Sequence, residues 1–454
     1  MNGAKALVIG LARTGSAVAR ALHADGYEVT VVDTDDSPAV RERAAALPPG
    51  VEVRLGGYEP GVVRAFDLVS PSPGVRWDAP ELDAARALGI PLRSEIALVF
   101  ERCRGRIVGI TGTNGKTTTT ALVAAILEAA GRRVHLGGNI GVPMLDRLPA
   151  VRDGDWVVLE LSSFQIETVD EPRCSIACVL NVTPDHLDRH GDFETYAGIK
   201  RRIVRFASDA AVLGYDDPVT RAMADGAGCP VWYFGLRLDG QDGATVRDAQ
   251  IVSVEQSGTR PVMPVNAIPL FGAHNVLNVL AATAVTRAAD VDPDHIAAAV
   301  TSFRAVRHRL QTVAEMDGVL WVNDSKATNA ESAVMALQAF AGRPIVWIGG
   351  GRGAGTSSDA LVDAVVDRAR HAVLNGETAS QVDAALAARG YEARTVVRGL
   401  REAVAAARDI ARDGDVVLLA PGFKSFDQFR DFEDRGDSFI AFVTELTAPV
   451  DTPR

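Results

Sequence analysis

The sequence is poor in several features that would assign it to a specialised class of protein. Only four of its 454 residues are cysteines, and none of them forms a Cys-x-x-Cys pair. Cys174 and Cys178 lack a matching pair of cysteines or histidines, so we interpret them as buried thiols rather than metal ligands. A run of eighteen apolar residues is also missing, so no membrane-spanning helix and no membrane insertion are predicted.

Basic residues are outnumbered by acidic ones, and the formal net charge is −11. A general nucleic-acid binder carries a basic patch or stripe, so nucleic acid is excluded as a partner. The first residues pass directly into an apolar strand, Ala6 to Ile9, without the apolar core of a signal peptide. We therefore expect a soluble cytoplasmic protein. Its length favours about three domains, and a hydrophobic content of 47% is ample for their cores.

The stretch Ile107 to Thr120 has the order strand, glycine-rich loop, helix. Gly112 and Gly115 permit a tight turn whose amide groups, with the following helix N-terminus, form a nest for an anion. Lys116 can reach the β- and γ-phosphates of a nucleotide, and the Thr117 hydroxyl is placed to bind Mg²⁺. The generic phosphate-loop pattern has a further glycine five residues before Gly115, where this chain has isoleucine. The stretch therefore predicts a variant phosphate-binding loop.

A second glycine turn, Gly10 to Gly15, follows the first strand and resembles a dinucleotide fingerprint, with Asp33 about twenty positions further on. The middle glycine of that fingerprint is Ala12 here, and its side chain obstructs close approach of a pyrophosphate. A nucleotide-like ligand is therefore favoured over NAD. A nicotinamide-dependent oxidoreductase built on this turn is the alternative from a different functional class. Asp67 to Gly74 forms another turn expected to face a ligand.

Polar side chains follow the buried strands of the middle region. Glu160 ends the strand that begins at Trp156, where a carboxylate suits Mg²⁺ at the phosphates. Asn139 lies in a glycine-rich loop that could present its amide to a ligand. His186 stands between two acidic residues, and a structural and a functional role are equally supported by that spacing. Lys200 lies on a charged helix face, and physical reasoning alone does not single it out.

Asn275 and Asn278 are three residues apart at the start of a helix, so both amides could meet one planar ring. A capped helix start with a polar first turn explains them comparably well. Arg309, at the expected hinge before the last region, could swing onto phosphates or remain a surface residue.

The last region, from about residue 306, alternates strands and helices and predicts a third, doubly wound domain. Its five predicted strands are Leu320 to Asn323, Ile345 to Ile348, Ala372 to Leu374, Thr395 to Val397 and Val416 to Leu419.

Six motifs occur in one order along nearly the whole chain: Thr111-Gly-Thr-Asn-Gly-Lys-Thr117, Glu160-Leu-Ser-Ser-Phe-Gln165, Asn181-Val-Thr-Pro-Asp-His186, Gly272-Ala-His-Asn-Val-Leu-Asn278, His308-Arg-Leu310 and Asn323-Asp-Ser-Lys-Ala-Thr-Asn329. That order resembles the Mur ligases, the ATP-dependent amide ligases of peptidoglycan precursor synthesis. Within the family, the chain is most similar to members that join D-glutamate to UDP-N-acetylmuramoyl-L-alanine through an acyl phosphate.

The resemblance implies an α/β protein of three domains. Residues 1–97 would be a Rossmann-like domain for the UDP-sugar, and residues 98–305 a P-loop ATPase-type α/β domain for ATP. Residues 306–454 would be a second Rossmann-like domain for the incoming amino acid. The implied small molecules are ATP, two Mg²⁺ ions, UDP-N-acetylmuramoyl-L-alanine and glutamate, and we expect a monomer.

The resemblance also assigns site residues. Catalytic roles fall to Lys116, Glu160, His186 and Lys200, and the metal ligands would be Thr117, Glu160, His186 and Lys200, the lysine as a carbamate bridging to the second Mg²⁺. Nucleotide contacts would come from Gly112, Thr113, Asn114, Gly115, Lys116, Thr117, Thr118, Asn275, Asn278, Arg309 and Asp324. Substrate contacts would come from Thr14, Ser72, Asn139, Lys326, Thr328, Ser425 and Phe432.

Two positions depart from the resemblance. Gly353 stands where the relevant family members have a lysine that meets a substrate carboxylate, with Arg352 beside it, and Lys424 replaces a small residue. Arg352 or Lys424 is expected to supply that cation, and the amino acid could be L-glutamate or another one. Asp35 stands near a position where the family often has a basic residue. Further alternatives are a folylpolyglutamate synthetase, an amidating relative that uses ammonia, and a non-catalytic nucleotide-binding regulator.

Overall fold

In the computed structural model, three β-sheets follow one another along the chain, and the structure describes residues 3–340, 342–353 and 357–447. Residues 1–268 and 277–302 form one compact unit, which holds the first two sheets. Residues 269–276 and 303–454 form a second unit, which holds the third sheet. Within the described residues, helices long and apolar enough to cross a bilayer are absent.

The first sheet is fully parallel, with the order β3-β2-β1-β4. Strands β1, β2 and β4 are largely buried, as expected for parallel strands covered on both faces, whereas the edge strand β3 is partly exposed. The elements are β1 (Lys5–Ile9), α1 (Arg13–Ala24), β2 (Glu28–Asp33), α2 (Pro38–Ala45), β3 (Glu52–Leu55), β4 (Leu68–Pro71), α3 (Pro80–Ala87) and α4 (Glu95–Arg102), with a 3₁₀ helix at Pro60–Ala65.

The second sheet has nine strands in the order β13-β12-β11-β10-β9-β8-β5-β7-β6, parallel except for the hairpin edge β11 to β13. Its elements up to the eighth helix are β5 (Arg106–Thr111), α5 (Lys116–Ala129), β6 (Val134–Gly138), β7 (Trp156–Glu160), α6 (Ser163–Ile166), β8 (Ile176–Val179), α7 (Leu187–His190) and α8 (Phe193–Arg205). They continue as β9 (Ala210–Gly214), α9 (Pro218–Arg221), β10 (Val231–Phe234), β11 (Gly243–Arg247), β12 (Gln250–Glu255), β13 (Gly258–Pro264), α10 (His274–Ala288) and α11 (Pro293–Ser302).

The third sheet, in the order β14-β15-β19-β16-β17-β18, is parallel except for β14. Its elements are β14 (Gln311–Met316), β15 (Val319–Asn323), α12 (Ala330–Gln338), β16 (Ile345–Gly349), α13 (Asp359–Arg368), β17 (Ala369–Leu374), α14 (Ala379–Ala388), β18 (Arg394–Val396), α15 (Leu400–Ile410), β19 (Val416–Leu419) and α16 (Phe432–Thr447). All five predicted strands are present, and the antiparallel edge strand β14 is an addition that the apolar pattern did not indicate.

The strand order decides which loops meet. In the second sheet β5 lies between β7 and β8, so the loops after these three strands share one edge. In the third sheet β19 lies between β15 and β16, so the loops after β15, β16 and β19 also meet. Ligands of open α/β sheets bind at this carboxyl edge.

Candidate active site

The phosphate loop connects β5 to α5, as predicted. Gly112 and Gly115 both have positive φ angles, 155° and 84°. A Cβ atom on Gly115 would lie 2.3 Å from the Asn278 carboxamide oxygen, and one on Gly112 would lie 2.9 Å from the Leu180 Cβ. Because Gly115 is the N-cap of α5, the cap has no side chain that competes with an anion for the amides of the first turn.

The side chains of the loop surround this turn. The Lys116 ammonium donates to the Gly112 and Thr113 carbonyl oxygens, at 3.0 Å and 2.8 Å. Thr117 and Thr118 are buried in the first turn of α5, and the Asn114 amide donates to the Asn181 side chain at 2.8 Å. The Lys116 ammonium thus lies against the backbone of the loop whose amides would bind an anion.

Glu160 and Asn139 are brought together by the pairing of β7 with β6. The Asn139 side-chain amide donates to Glu160 Oε1 at 2.9 Å, and the Asn139 backbone amide donates to the Glu160 carbonyl at 2.8 Å. The other carboxylate oxygen, Oε2, is buried and has no hydrogen-bond donor among the described residues. A buried oxygen without a donor is costly and rare, so this atom suits a hard cation such as Mg²⁺.

The part of the chain that the structure describes contains no cluster of three or more His, Cys, Asp or Glu side chains that could enclose a metal. Mg²⁺ is commonly held by one or two carboxylates, with phosphates and waters completing its shell. Glu160 therefore fits a magnesium–nucleotide site better than a metal cage made of protein alone.

Lys200 is 1% exposed, although it lies on a helix whose charged face suggested solvation. Its amine donates to the Gly112 carbonyl at 2.9 Å and lies 4.5 Å from the centre of the Tyr196 ring. Burial, and then the charge of Lys116, lower the pKa of Lys200 to about 6. The amine is therefore mainly uncharged at neutral pH, which makes it a nucleophile.

Physical reasoning on the sequence missed Lys200, but composition holds a signal. Only five of the 47 basic residues are lysines: Lys5, Lys116, Lys200, Lys326 and Lys424. Where arginine supplies nearly all positive charge, a remaining lysine points to a role that the guanidinium cannot perform.

His186 is the N-cap of the short helix α7 and has a left-handed backbone, with φ 53°. Such a conformation is uncommon outside glycine and often marks functional sites. Its ring lies 4.8 Å from the Phe164 ring, and its Nε2 lies 3.5 Å from Asp185 Oδ2. In the described residues, no hydrogen bond or ion pair joins His186 to Glu160.

At the N-terminal sheet, the Ser72 hydroxyl donates to the Gly10 carbonyl at 2.9 Å. Thr14 lies in the first turn of α1, whose N-cap, Ala12, makes no side-chain capping bond. The Leu11 amide donates to Asp33 Oδ2 at 2.6 Å, so the acid of the fingerprint closes the turn itself.

The two asparagines of α10 differ in their contacts. Asn278, in the first unit, accepts a hydrogen bond from the Thr119 hydroxyl at 3.3 Å. Asn275, in the second unit, donates to the Phe271 carbonyl at 2.6 Å. Both side chains are buried.

In the second unit, Arg309 lies between two residues with left-handed backbone, His308 at φ 62° and Leu310 at φ 41°. Asp324 accepts a hydrogen bond from the Leu310 amide at 3.0 Å. Burial raises the pKa of Asp324 to about 6, against the opposing charges of Arg309 and Lys326. The loop is therefore tied directly to the end of β15.

The residues that were predicted to contact the incoming amino acid lie at the carboxyl edge of the third sheet. The Lys326 ammonium lies 5.7 Å from the centre of the Phe432 ring. The Gly422 amide donates to the Ala327 carbonyl, next to Thr328, at 2.9 Å. Ser425 is buried in the loop after β19.

Buried Arg435, absent from the predicted set, joins these two loops. It donates to the Ser325 hydroxyl, the Ser325 carbonyl and the Phe423 carbonyl, at 2.9–3.1 Å. The loop after β16 reaches the same edge: Arg352 and Lys424 are directly opposite in an antiparallel bridge and exchange two backbone hydrogen bonds, at 2.7 Å and 3.2 Å. Their side chains therefore leave the same face of the bridge.

These features define a phosphate-loop nucleotide-binding protein with two further α/β sheets. Three family models match the chain in order: "Mur ligase MurD-like, N-terminal domain" at residues 4–94, "Mur ligase middle domain" at 110–286 and "Mur ligase, glutamate ligase domain" at 308–423. The chain belongs to the Mur ligase family.

Two relatives named UDP-N-acetylmuramoylalanine–D-glutamate ligase match the chain over nearly its full length. The protein of Acidobacterium capsulatum is 41% identical, covering 98% of this chain and 96% of the relative. That of Koribacter versatilis is 40% identical, covering 98% of both. The oxidoreductase alternative is therefore wrong: the turn at Gly10 belongs to the N-terminal domain of a ligase family.

Solved structures agree on the fold. The UDP-N-acetylmuramate-alanine ligase of Thermotoga maritima superposes with a TM-score of 0.61 at 20% identity, covering 97% of this chain and 99% of that one. A pseudomurein peptide ligase of Methanothermus fervidus gives a TM-score of 0.57, also at 20% identity, covering 97% and 100%. The predicted three-domain α/β architecture is confirmed.

Proposed function

We propose that this protein is an ATP-dependent amide ligase that joins D-glutamate to the alanyl carboxylate of UDP-N-acetylmuramoyl-L-alanine in peptidoglycan precursor synthesis. The supporting observation is the identity of about 40%, along nearly the whole chain, with relatives that carry the name of that activity. The phosphate loop and the partnerless Glu160 oxygen supply the chemistry that such a reaction needs.

A carboxylate acylates amines poorly, so it must first be activated. An oxygen of the alanyl carboxylate attacks the γ-phosphorus of ATP, the bond to the β-phosphate oxygen breaks, and ADP leaves. Lys116, which contacts the backbone of the loop, offsets the charge of the transferring phosphoryl group. The glutamate amine then attacks the acyl carbon, loses a proton and expels phosphate, which completes the amide.

Magnesium would be held through Thr117, Glu160 and His186, and when bound it neutralises phosphate charge. We propose that Lys200 serves a second ion as a carbamate. The uncharged amine adds to CO₂ and loses a proton, so a buried base becomes a carboxylate. The pKa of about 6 and the burial of Lys200 support this, because only the uncharged amine reacts with CO₂.

The remaining assignments follow the three proposed domains, residues 1–97, 98–305 and 306–454. Thr14, Ser72 and Asn139 would contact the sugar nucleotide. The phosphate-loop residues together with Asn275, Asn278, Arg309 and Asp324 would contact ATP. Lys326, Thr328, Ser425 and Phe432 would line the amino-acid pocket.

We propose that Arg352 or Lys424 replaces the lysine that is absent at Gly353. Their shared face on the bridge supports this, because two cations directly opposite each other repel, and a bound carboxylate would offset that repulsion. Arg352 also lies 3.9 Å from the exposed carboxylate of Glu377, so the Lys424 ammonium is the less compensated of the two. Loss of glutamate affinity in Arg352→Gln or Lys424→Gln would identify which side chain binds the carboxylate.

Phosphate release from ATP tests the proposal as a whole. Turnover should require both UDP-N-acetylmuramoyl-L-alanine and glutamate, with D-glutamate preferred to L-glutamate. Release with either substrate omitted would contradict it, and a preference for L-glutamate would revise the amino acid alone. We further propose a cytoplasmic monomer, for which light scattering should return a mass near 48.0 kDa.

A further inference from the structure

Arg189, on the short helix α7, contacts two separate parts of the first unit. Its guanidinium donates to Glu167 from Nε at 3.0 Å and also from Nη2. It lies 4.3 Å from the centre of the Phe164 ring and donates to the Val75 carbonyl at 3.4 Å. Both Arg189 and Glu167 are about nine-tenths buried, which is far more than most surface ion pairs.

Val75 belongs to the turn that follows β4. Its amide donates to the Ser72 carbonyl at 2.9 Å, and Ser72 in turn holds Gly10. A shift of Ser72 in the proposed sugar-nucleotide turn would therefore move the Val75 carbonyl, which accepts a hydrogen bond from Arg189.

The other end of the contact chain is His186. Arg189 and His186 are three residues apart around the single turn of α7, and both contact the Phe164 ring. The neighbouring His190 strengthens the same attachment, because its Nε2 lies 3.0 Å from the Ser163 hydroxyl and its Nδ1 lies 3.5 Å from Glu167. Helix α7, which follows His186 directly, is held to Phe164 and Glu167 through the side chains of Arg189 and His190. These contacts maintain the left-handed backbone of His186.

We infer that Arg189 is a positioning residue that couples the Ser72–Val75 turn to His186, so that a bound sugar nucleotide favours the arrangement of His186 that binds the magnesium–nucleotide. The inference rests on the proposed function, because it takes the turn at Ser72 as the sugar-nucleotide site. It assigns to Arg189 no contact with substrate or metal.

Arginine is required because one planar group makes three kinds of contact: with a carboxylate, an aromatic face and a carbonyl. Lysine keeps the charge but cannot make all three at once. Arg287 offers a matched control in the same unit, since it also pairs with a largely buried carboxylate, Glu255, and donates to a carbonyl, that of Val291.

The experiment measures binding rather than turnover. Calorimetry gives the affinity for a non-hydrolysable ATP analogue with Mg²⁺, alone and with saturating UDP-N-acetylmuramoyl-L-alanine. The ratio of the two affinities is the coupling factor. For the unaltered protein we expect a factor of about 5 or more, the lower end of common coupling energies. Arg189→Lys should bring the factor to within about 2 of unity while the affinity for the analogue alone stays nearly constant.

Arg287→Lys should keep the full coupling factor. Glu167→Gln keeps the shape of the side chain but removes the charge that pairs with Arg189, so it should lower the coupling factor less than Arg189→Lys does. It replaces Arg189→Lys in the experiment if that variant fails to fold. An unchanged factor in a folded Arg189→Lys or Glu167→Gln protein overturns the inference, as does an equal loss in Arg287→Lys. A protein that forms the amide but shows a factor of one overturns the inference alone, whereas a protein that binds no sugar nucleotide overturns the proposed function as well.

Discussion

Two glycine turns of this protein share the order strand, turn, helix but differ in the groups that they offer a ligand. The turn at Gly10–Gly15 offers backbone amides and an uncapped helix N-terminus, and its acid, Asp33, is used to close the turn. The loop at Gly112–Thr117 adds a lysine and a buried hydroxyl, and the neighbouring strand β7 ends at Glu160, which has a carboxylate oxygen without a donor. The first set suits holding an anion, and the second suits moving a phosphoryl group, because charge must be offset as it develops.

Removal of Lys116 should have the largest effect on turnover. It tests whether the charge of this lysine is what makes the two turns differ in function. In Lys116→Ala, turnover should fall by about 10² to 10³ or more, the cost typical of losing one electrostatic contact to a transition state. The affinity for the sugar nucleotide should change little. Steady-state phosphate release and calorimetry measure the two quantities, and a loss of sugar-nucleotide affinity equal to the loss in turnover would show that the turns are not separate in function.

A methyl group on Gly15 should break the N-terminal turn. The added Cβ would lie 1.9 Å from the Gly10 carbonyl oxygen, a backbone atom that cannot move alone. Gly15→Ala should lower the free energy of unfolding by about 1–3 kcal/mol, as overpacking does, and weaken sugar-nucleotide binding. Gly198→Ala is the control, since its Cβ would meet no atom within 4 Å in helix α8. Equal denaturation midpoints for the two variants would contradict this reading of the turn.

The buried amine of Lys200, beside the phosphate loop, should make stability depend on pH. With a folded pKa of about 6 and an ordinary value of 10.5, the unfolded chain binds more protons between these limits. The free energy of unfolding should therefore rise with pH in that window, because protonation of the amine favours the unfolded chain. In CO₂-depleted buffer, urea titrations at pH 6.5 and 8.5 should show a smaller rise for Lys200→Met than for the unaltered protein.

Lys200 also allows a chemical test of the carbamate. Lys200→Ala should have low turnover that added short carboxylates partly restore, because they replace the carboxylate that the carbamate would supply. Full turnover without any addition would remove Lys200 from the site.

Ser72→Ala should give the smallest effect. It removes the bond from the serine hydroxyl to the Gly10 carbonyl, which typically contributes about 1 kcal/mol. Sugar-nucleotide affinity should fall a few-fold and nucleotide affinity should not change. A loss of nucleotide affinity without a loss of sugar-nucleotide affinity would show that Ser72 acts in the nucleotide site with the phosphate loop.

Much of the site could be predicted because strand, turn and helix are local in sequence. The glycines of the loop, the strand end at Glu160 and the three-domain order all follow from patterns in the sequence. Lys200 and Arg435 could not be identified from local pattern, because both are polar residues on helices whose burial depends on distant segments. Only five lysines among the basic residues offered a hint for the first, and nothing local marked the second.

The sequence by itself determined the turns, the helix starts and the chemical groups at the strand ends, because these depend on neighbouring residues. Tertiary structure alone decided that Asn139 donates a hydrogen bond to Glu160 and that Arg352 lies opposite Lys424. It also decided that the Lys200 amine is buried against the Gly112 carbonyl. The first two contacts follow from strand order, which brings loops that are far apart in the chain to one edge of a sheet. The third depends on where helix α8 packs, because Lys200 lies on that helix. Burial changes the charge state of a lysine and leaves a carboxylate oxygen without a donor, and no local pattern specifies either outcome.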